Sequence, residues 1–168
     1  MTKVRNRTII NQQVRFHTYG GHNMDKKISA RIHRINYLNA ELNALYHNAS
    51  LKLGLTDSAS IVLYTIYDNG ENCLLSEIYK QSGISKQTVN SAIRNLEKEG
   101  VIFLEQHSGR AKKVVLTDLG KDYVQKTVAR LFNAEAAAFS SWTEGEINAH
   151  IGFMEKYIDS FREQVKNL

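Results

Sequence analysis

Residues 74–120 read in order as a short helix, a turn, a polar-faced helix and a charged hairpin, and no other stretch so narrows the folds open to the chain. Leu74, Leu75, Ile78 and Tyr79 fall at the i, i+1, i+4, i+5 spacing of one apolar helical stripe. Gly83 stops that helix, since a glycine just past the last periodic residue adopts the left-handed closing conformation, and Ile84 folds back onto the core. Ser85 is the expected N-cap of the next helix, accepting from the amide of Thr88 or its neighbour. That helix runs to about Glu99 and is broken by Gly100.

In this second helix Val89, Ala92, Ile93 and Leu96 form the buried stripe. The open face carries Lys86, Gln87, Thr88, Asn90, Ser91, Arg94, Asn95 and Lys98, the amides, hydroxyls and cations that donate to phosphates and read base edges in a major groove. A merely solvated face alternates Glu and Lys four residues apart. Here glutamate comes at the far end, at Glu97 and Glu99, away from an N-terminal half that docks on phosphates. The pattern predicts a DNA-reading helix: Gln87, Asn90, Ser91 and Arg94 toward base edges, Ser85, Lys86 and Thr88 toward phosphates.

Val101-Ile102-Phe103-Leu104 suits a strand, Val114-Val115-Leu116 its return, and residues 105–113 between them a polar tip with Gly109 supplying positive φ. Arg110, Lys112 and Lys113 put three cations within four residues. An arginine on such a tip enters a minor groove while flanking lysines sit on phosphates. The same cations also protect exposed strand edges, and both roles are compatible. Helix, turn, helix and hairpin together make a winged helix-turn-helix.

The runs Ile84-Ser85-Lys86-Gln87-Thr88-Val89-Asn90, Leu96-Glu97-Lys98-Glu99-Gly100 and Gly109-Arg110-Ala111-Lys112-Lys113-Val114-Val115-Leu116-Thr117-Asp118-Leu119-Gly120 resemble the MarR family of bacterial transcriptional regulators. The resemblance covers roughly residues 28–168. It rests on a helix ending in Leu-Glu-x-x-Gly and on the Leu-Thr-x-x-Gly that joins wing to following helix. It implies a twofold dimer on a palindromic operator, and in many relatives a small aromatic or anionic ligand in the crevice between dimerisation helices and winged unit. One departure is Ser108, where family members often carry an acidic residue that braces the wing arginine, so Arg110 is left without that brace.

The chain's 168 residues suffice for a substantial core, and 42% hydrophobic residues is ordinary for a soluble protein. A net charge of +5 and a pI near 9.3 point to a polyanionic partner, without choosing among DNA, RNA and a membrane surface. One cysteine excludes an intrachain disulfide framework, and no apolar stretch has the length of a membrane span or the character of a signal peptide. The expected location is the cytoplasm, with no membrane partner.

With no proline in the chain, long helices meet no obligatory breaker on either side of the winged unit. Ile28, Ile35, Leu42 and Ala49, with Ile32, Leu38 and Leu45 between, make a near-heptad stripe. Ile147, Ile151, Met154, Ile158, Phe161, Val165 and Leu168 make a stricter one behind a capping box of Thr143 and Glu146. Such stripes serve a monomer's own core or a dimer. Being narrow and distant in sequence from the winged unit, they favour a homodimer through Ile28, Ile35, Leu42, Ile151, Met154, Ile158, Phe161 and Val165. Residues 117–141 read as one linking helix with Val124, Val128, Leu131 and Phe132 inward, and Thr56 caps a mostly apolar scaffold helix. Asp68-Asn69-Gly70-Glu71-Asn72 is a turn, and Cys73-Leu74 a short third strand beside the wing.

The fold expected is mainly α with a small β-hairpin wing, a winged helix-turn-helix core flanked by N- and C-terminal dimerisation helices. Its parts are a basic arm over 1–23, a dimerisation helix in 24–55, the winged unit in 56–120, and linking and C-terminal helices in 121–168. The arm, with Lys3, Arg5, Arg7 and Arg15 and no acidic residue, tracks phosphates, is an upstream extension not normally made before Met24, or packs on the dimer; a mobile or accessory arm is favoured.

Tyr37, Tyr46, Tyr64 and Tyr67 are candidates for an effector pocket, although tyrosines at helical spacing are more often core residues with a wet hydroxyl. Cys73 lacks a neighbouring cation and reads as an inert thiol. His33, His47, His107 and His150 lack ligand spacing, so no metal and no cofactor is expected. No phosphate loop, nucleophile elbow or His/carboxylate cluster marks an enzyme. Two function classes stand: a dimeric sequence-specific regulator of double-stranded DNA, with or without a small-molecule effector, and a winged-helix module for protein interaction or structure.

Overall fold

The computed structural model describes residues 26–168, so the basic arm expected over 1–23 lies outside the described residues. Two compact units, Met1–Ala40 and Glu41–Leu168, divide within the first long helix, α1 (Lys26–Lys52). In the first unit the described residues 26–40 are helical, with Ile28, Ile32, Ile35 and Leu38 exposed.

The second unit contains the core. Its helix α2 (Asp57–Asp68) starts where Thr56 Oγ1 accepts from the Ala59 amide at 3.2 Å, as the capping signal requires. Val62, Leu63 and Ile66 on α2 are fully buried with Ile78 of α3 (Leu75–Gln81) and with Val89 and Leu96 of α4 (Lys86–Lys98). Each such side chain contributes about 1.5–3 kcal/mol over leaving it in water.

Three strands complete the winged unit in the order β1-β3-β2, all antiparallel: β1 (Asn72–Leu74), β2 (Ile102–Ser108) and β3 (Ala111–Leu116). The short third strand is present, and it corrects the start of the first reading-unit helix. Leu74 pairs with Lys113 at the end of β1, so α3 begins one residue later, at Leu75. Glu71 holds φ +72, unusual outside glycine, where its carbonyl accepts from the Leu116 amide at 3.2 Å and its carboxylate meets Lys121 Nζ at 3.6 Å.

The single linking helix expected over 117–141 is two helices, α5 (Asp118–Lys126) and α6 (Val128–Phe139). Thr127, at φ −122 and ψ −95, leaves the helical region while its hydroxyl donates to the Tyr123 carbonyl at 2.7 Å. Such back-bonding bends helices. Val124 and Val128, on either side of the bend, are both fully buried. The last helix, α7 (Glu144–Val165), opens on the expected capping box of Thr143 and Glu146 and buries none of its residues.

Where wing meets α5 the chain has no spare volume. Thr117 Oγ1 accepts from the Gly120 amide at 2.9 Å and donates to the Gly100 carbonyl at 2.6 Å. An added Cβ on Gly120 would lie 1.9 Å from the Val101 carbonyl oxygen. Gly120→Ala should therefore lower the unfolding free energy by about 3 kcal/mol or more, measured in urea. Gly145→Ala, on α7 where the added atom meets nothing, should be neutral or stabilising by up to about 1 kcal/mol.

Candidate nucleic-acid interface

The face of α4 expected to read DNA begins at its N-cap. Ser85 Oγ accepts from the Thr88 amide at 3.1 Å and lies 2.8 Å from Thr88 Oγ1, and no acidic residue occupies the first turn. The partial positive charge of the helix start is thus uncancelled. Val89, Ala92, Ile93 and Leu96 are buried, which leaves Lys86, Gln87, Thr88, Ser91 and Arg94 exposed together. Ser91 Oγ donates to the Gln87 carbonyl at 3.0 Å, keeping its lone pairs outward. Asn90 is half-buried, and its Oδ1 accepts from the Tyr79 hydroxyl at 2.7 Å. The Lys86 ammonium lies 5.5 Å from the centre of the same Tyr79 ring.

The wing is tighter than a loop over 105–113. Strands run to Ser108 and from Ala111, paired across the turn, with Gly109 at φ +52 in the first central position and Arg110 at the tip. Lys112 and Lys113 belong to β3, not to the tip, and successive strand residues face opposite sides. Lys112 is exposed. Lys113 is half-buried on the central strand between Leu74 and Glu105. Gln106 ties the backbone of the turn instead, its amide donating to the Gly109 carbonyl, with the Ala111 carbonyl 3.3 Å away.

The four tyrosines separate. Tyr46 of α1 and Tyr64 of α2 converge on one carboxylate, each phenol donating to a different oxygen of Glu135 on α6. With His47, whose Nδ1 is 2.9 Å from Asp57, they line a cavity of about 460 Å³. Tyr67 lies in a second cavity, of about 340 Å³, edge-on to Phe132. Tyr37 is exposed in the N-terminal unit under the Arg34 guanidinium. Sequence reading missed Glu135, Tyr79 and Gln106. Glu135 had a signal as the one carboxylate in an alanine-rich run, but the tyrosines that meet it from two other helices had none.

Cys73 is buried, and desolvation, with the Glu77 charge second, pushes its thiol up, away from the reactive form. Among the described residues no group of three or more His, Cys, Asp or Glu is placed to hold a metal ion, and no helix is long and apolar enough to cross a membrane.

Burial and then the Glu135 hydrogen bond push the Tyr46 phenol from 10.0 to about 12, and the same causes raise Tyr64 further. The folded chain therefore holds these protons more tightly than the unfolded one. Their stabilisation is full below pH 10 and is lost as pH rises through about 12 for Tyr46. In Glu135→Gln, phenolate absorbance should show two tyrosines ionising at lower pH than in the wild type, part of the way back toward 10 because burial persists. An unchanged titration would show that the carboxylate does not hold the phenols.

Residues 53–112 match the family model described as MarR family. Among curated proteins, the phenylalanine--tRNA ligase alpha subunit of Pyrococcus abyssi (strain GE5 / Orsay) is 43% identical over 53 residues, 32% of this chain. That likeness spans 10% of the subunit's length. Bordetella bronchiseptica BpsR, solved in a study of how 6-hydroxynicotinic acid regulates its DNA binding, superposes with a TM-score of 0.57 and 20% identity over 74% of this chain and 98% of its own. A Listeria monocytogenes protein of the MarR regulator type, in complex with 26mer DNA, superposes with a TM-score of 0.62 and 22% identity over 79% of this chain and 89% of its own. Identities this low make the structural likeness one of fold. The resemblance read from the sequence therefore stands as a likeness: residues 53–112 match the MarR family model, and the fold is that of MarR-family transcriptional regulators.

Proposed function

We propose that this chain is a cytoplasmic, dimeric, sequence-specific DNA-binding regulator, not an enzyme, that occupies a palindromic operator and is released by a small ligand. The observation that carries the reading is the N-terminal half of α4. It exposes Lys86, Gln87, Thr88, Ser91 and Arg94 with no carboxylate in the first turn, while its apolar stripe is buried. A helix built to dock on protein would expose apolar anchors instead. Arg110 at the wing tip and Lys112 beside it complete a basic, polar surface suited to phosphates and a minor groove.

Dimerisation is supported by α7. Ile151, Met154, Ile158, Phe161 and Val165 are each about half exposed, on a helix of 22 residues with nothing buried. A helix with an apolar face has little stability alone in water, and a second copy offers the same face. Ile28 and Ile35 in the N-terminal unit and Leu42 in the second are exposed likewise. For the ligand, the cavity of Tyr46, Tyr64 and Glu135 offers aromatic walls and a carboxylate whose oxygens accept, so the effector that fits brings hydrogen-bond donors.

A second reading, a winged-helix module for protein interaction or structure, has one observation on its side, the 53-residue likeness to a tRNA ligase subunit. Selection from random-sequence duplex DNA at two salt concentrations separates the two. The regulator should enrich a palindrome, and Arg94→Ala should cost about 1–3 kcal/mol on it and relax one position per half-site. Lys112→Ala should reduce the salt slope by about 1 per protomer. Absence of any enriched palindrome, with Arg110→Ala without effect, would sink the regulator reading. Separately, sedimentation of the Ile151→Glu, Ile158→Glu double variant should give half the wild-type mass; an unchanged mass would move the interface elsewhere.

A further inference from the structure

Tyr79 was expected only in the apolar stripe of the first helix, yet it touches two residues of the proposed reading face. It is half-buried, its ring packs on the core, and its hydroxyl donates to Asn90 Oδ1 at 2.7 Å. An unconstrained asparagine pairs bidentately with adenine, its Nδ2 donating to N7 while its Oδ1 accepts from the N6 amino group. At Asn90 the phenol holds the oxygen toward α3 and takes one of its two lone pairs, which leaves the two Nδ2 hydrogens as the freer groups the amide offers a groove. The Lys86 ammonium over the same ring, 5.5 Å from its centre, adds a second contact between Tyr79 and the reading face.

We propose that Tyr79 is a positioning residue that fixes Asn90 as a hydrogen-bond donor toward the major groove, so that the base it faces presents acceptors. Guanine, with O6 and N7 side by side, fits two donors best; adenine, which needs an acceptor in return for its N6 donor, is disfavoured. This rests on the regulator reading and goes beyond it in naming the base chemistry at one position and the residue that sets it.

The test runs three full-length chains, wild type, Tyr79→Phe and Asn90→Ala, through the same selection from random-sequence duplex DNA at one salt concentration. The wild type should enrich guanine at one position of each half-site, which becomes degenerate in Asn90→Ala. Tyr79→Phe keeps the ring and frees the amide to turn, so that position should move toward adenine, with the affinity ratio between the two bases changing about tenfold. The rest of the site and the thermal unfolding of Tyr79→Phe should stay as in the wild type, which a general loss of structure would not produce. A Tyr79→Phe preference identical to the wild type's overturns the positioning role, as does adenine at the Asn90-dependent position of the wild type. If Asn90→Ala leaves every position unchanged, Asn90 reads no base and the inference fails while the regulator reading survives. If the wild type enriches no sequence at all, both fail.

Discussion

The placement of the wing depends on one close approach, that of α5 to the carbonyl of Val101. Two motifs separated in sequence meet there, the Leu-Glu-x-x-Gly that ends α4 and the Leu-Thr-x-x-Gly that starts α5. Thr117 joins them, accepting from the Gly120 amide while its hydroxyl donates to Gly100 and its own amide donates to Val101. Gly120 is glycine because a Cβ would occupy the space of a backbone oxygen. Since β2 and β3 leave from one side of this junction and α4 from the other, it fixes the angle between the wing and the helix beside it. A hydrogen bond from Gln106 then sets the tip itself, without the acidic residue that the family resemblance leads one to look for.

Stability is unevenly distributed in consequence. The fully buried side chains belong to α2, α3, α4, β3, α5 and α6, whereas α7 has no buried residue. Conformational entropy is lost in ordering a helix whether or not its face is covered. Among the described residues nothing buries α7, and in the proposed dimer the compensating burial comes from a second copy. Folding and association are coupled in such a molecule, so its stability depends on protomer concentration.

What the sequence made legible was local. Ser85, Thr56 and the Thr143–Glu146 pair signal helix starts because a cap is a bond between residues two or three apart. The stripes of α4 and the hairpin strands are equally local, being periodicities. Each departure involves a bond or a packing demand that periodicity does not encode. The bend at Thr127 carries no glycine or proline, and Leu74 is taken from α3 by its pairing with Lys113. Tyr79 to Asn90 and the two tyrosines on Glu135 span 11, 89 and 71 residues, and no spacing rule reaches them.

Those same contacts connect the two halves of the proposed function. The cavity that holds Tyr64 and Glu135 is also lined by Gln81, the last residue of α3, whose Oε1 accepts from Asn69 Nδ2 at 3.0 Å. Tyr79 lies two residues before Gln81 on the same short helix, and its hydroxyl holds Asn90. A ligand that displaces Gln81 or draws Glu135 from the phenols acts on α3 directly and on α2 through Tyr64. Gln81 and Tyr79 sit on one seven-residue helix, so in the proposed regulator a ligand that moved α3 would carry the Tyr79 hydroxyl with it. A ligand that bound equally well with α3 in either place would shift nothing, however tightly it bound. In the proposed regulator, an effector at this cavity would therefore release DNA only if its contacts with Gln81 and Glu135 differed between this placement of α3 and another, and the readout at the groove would be the orientation of one amide.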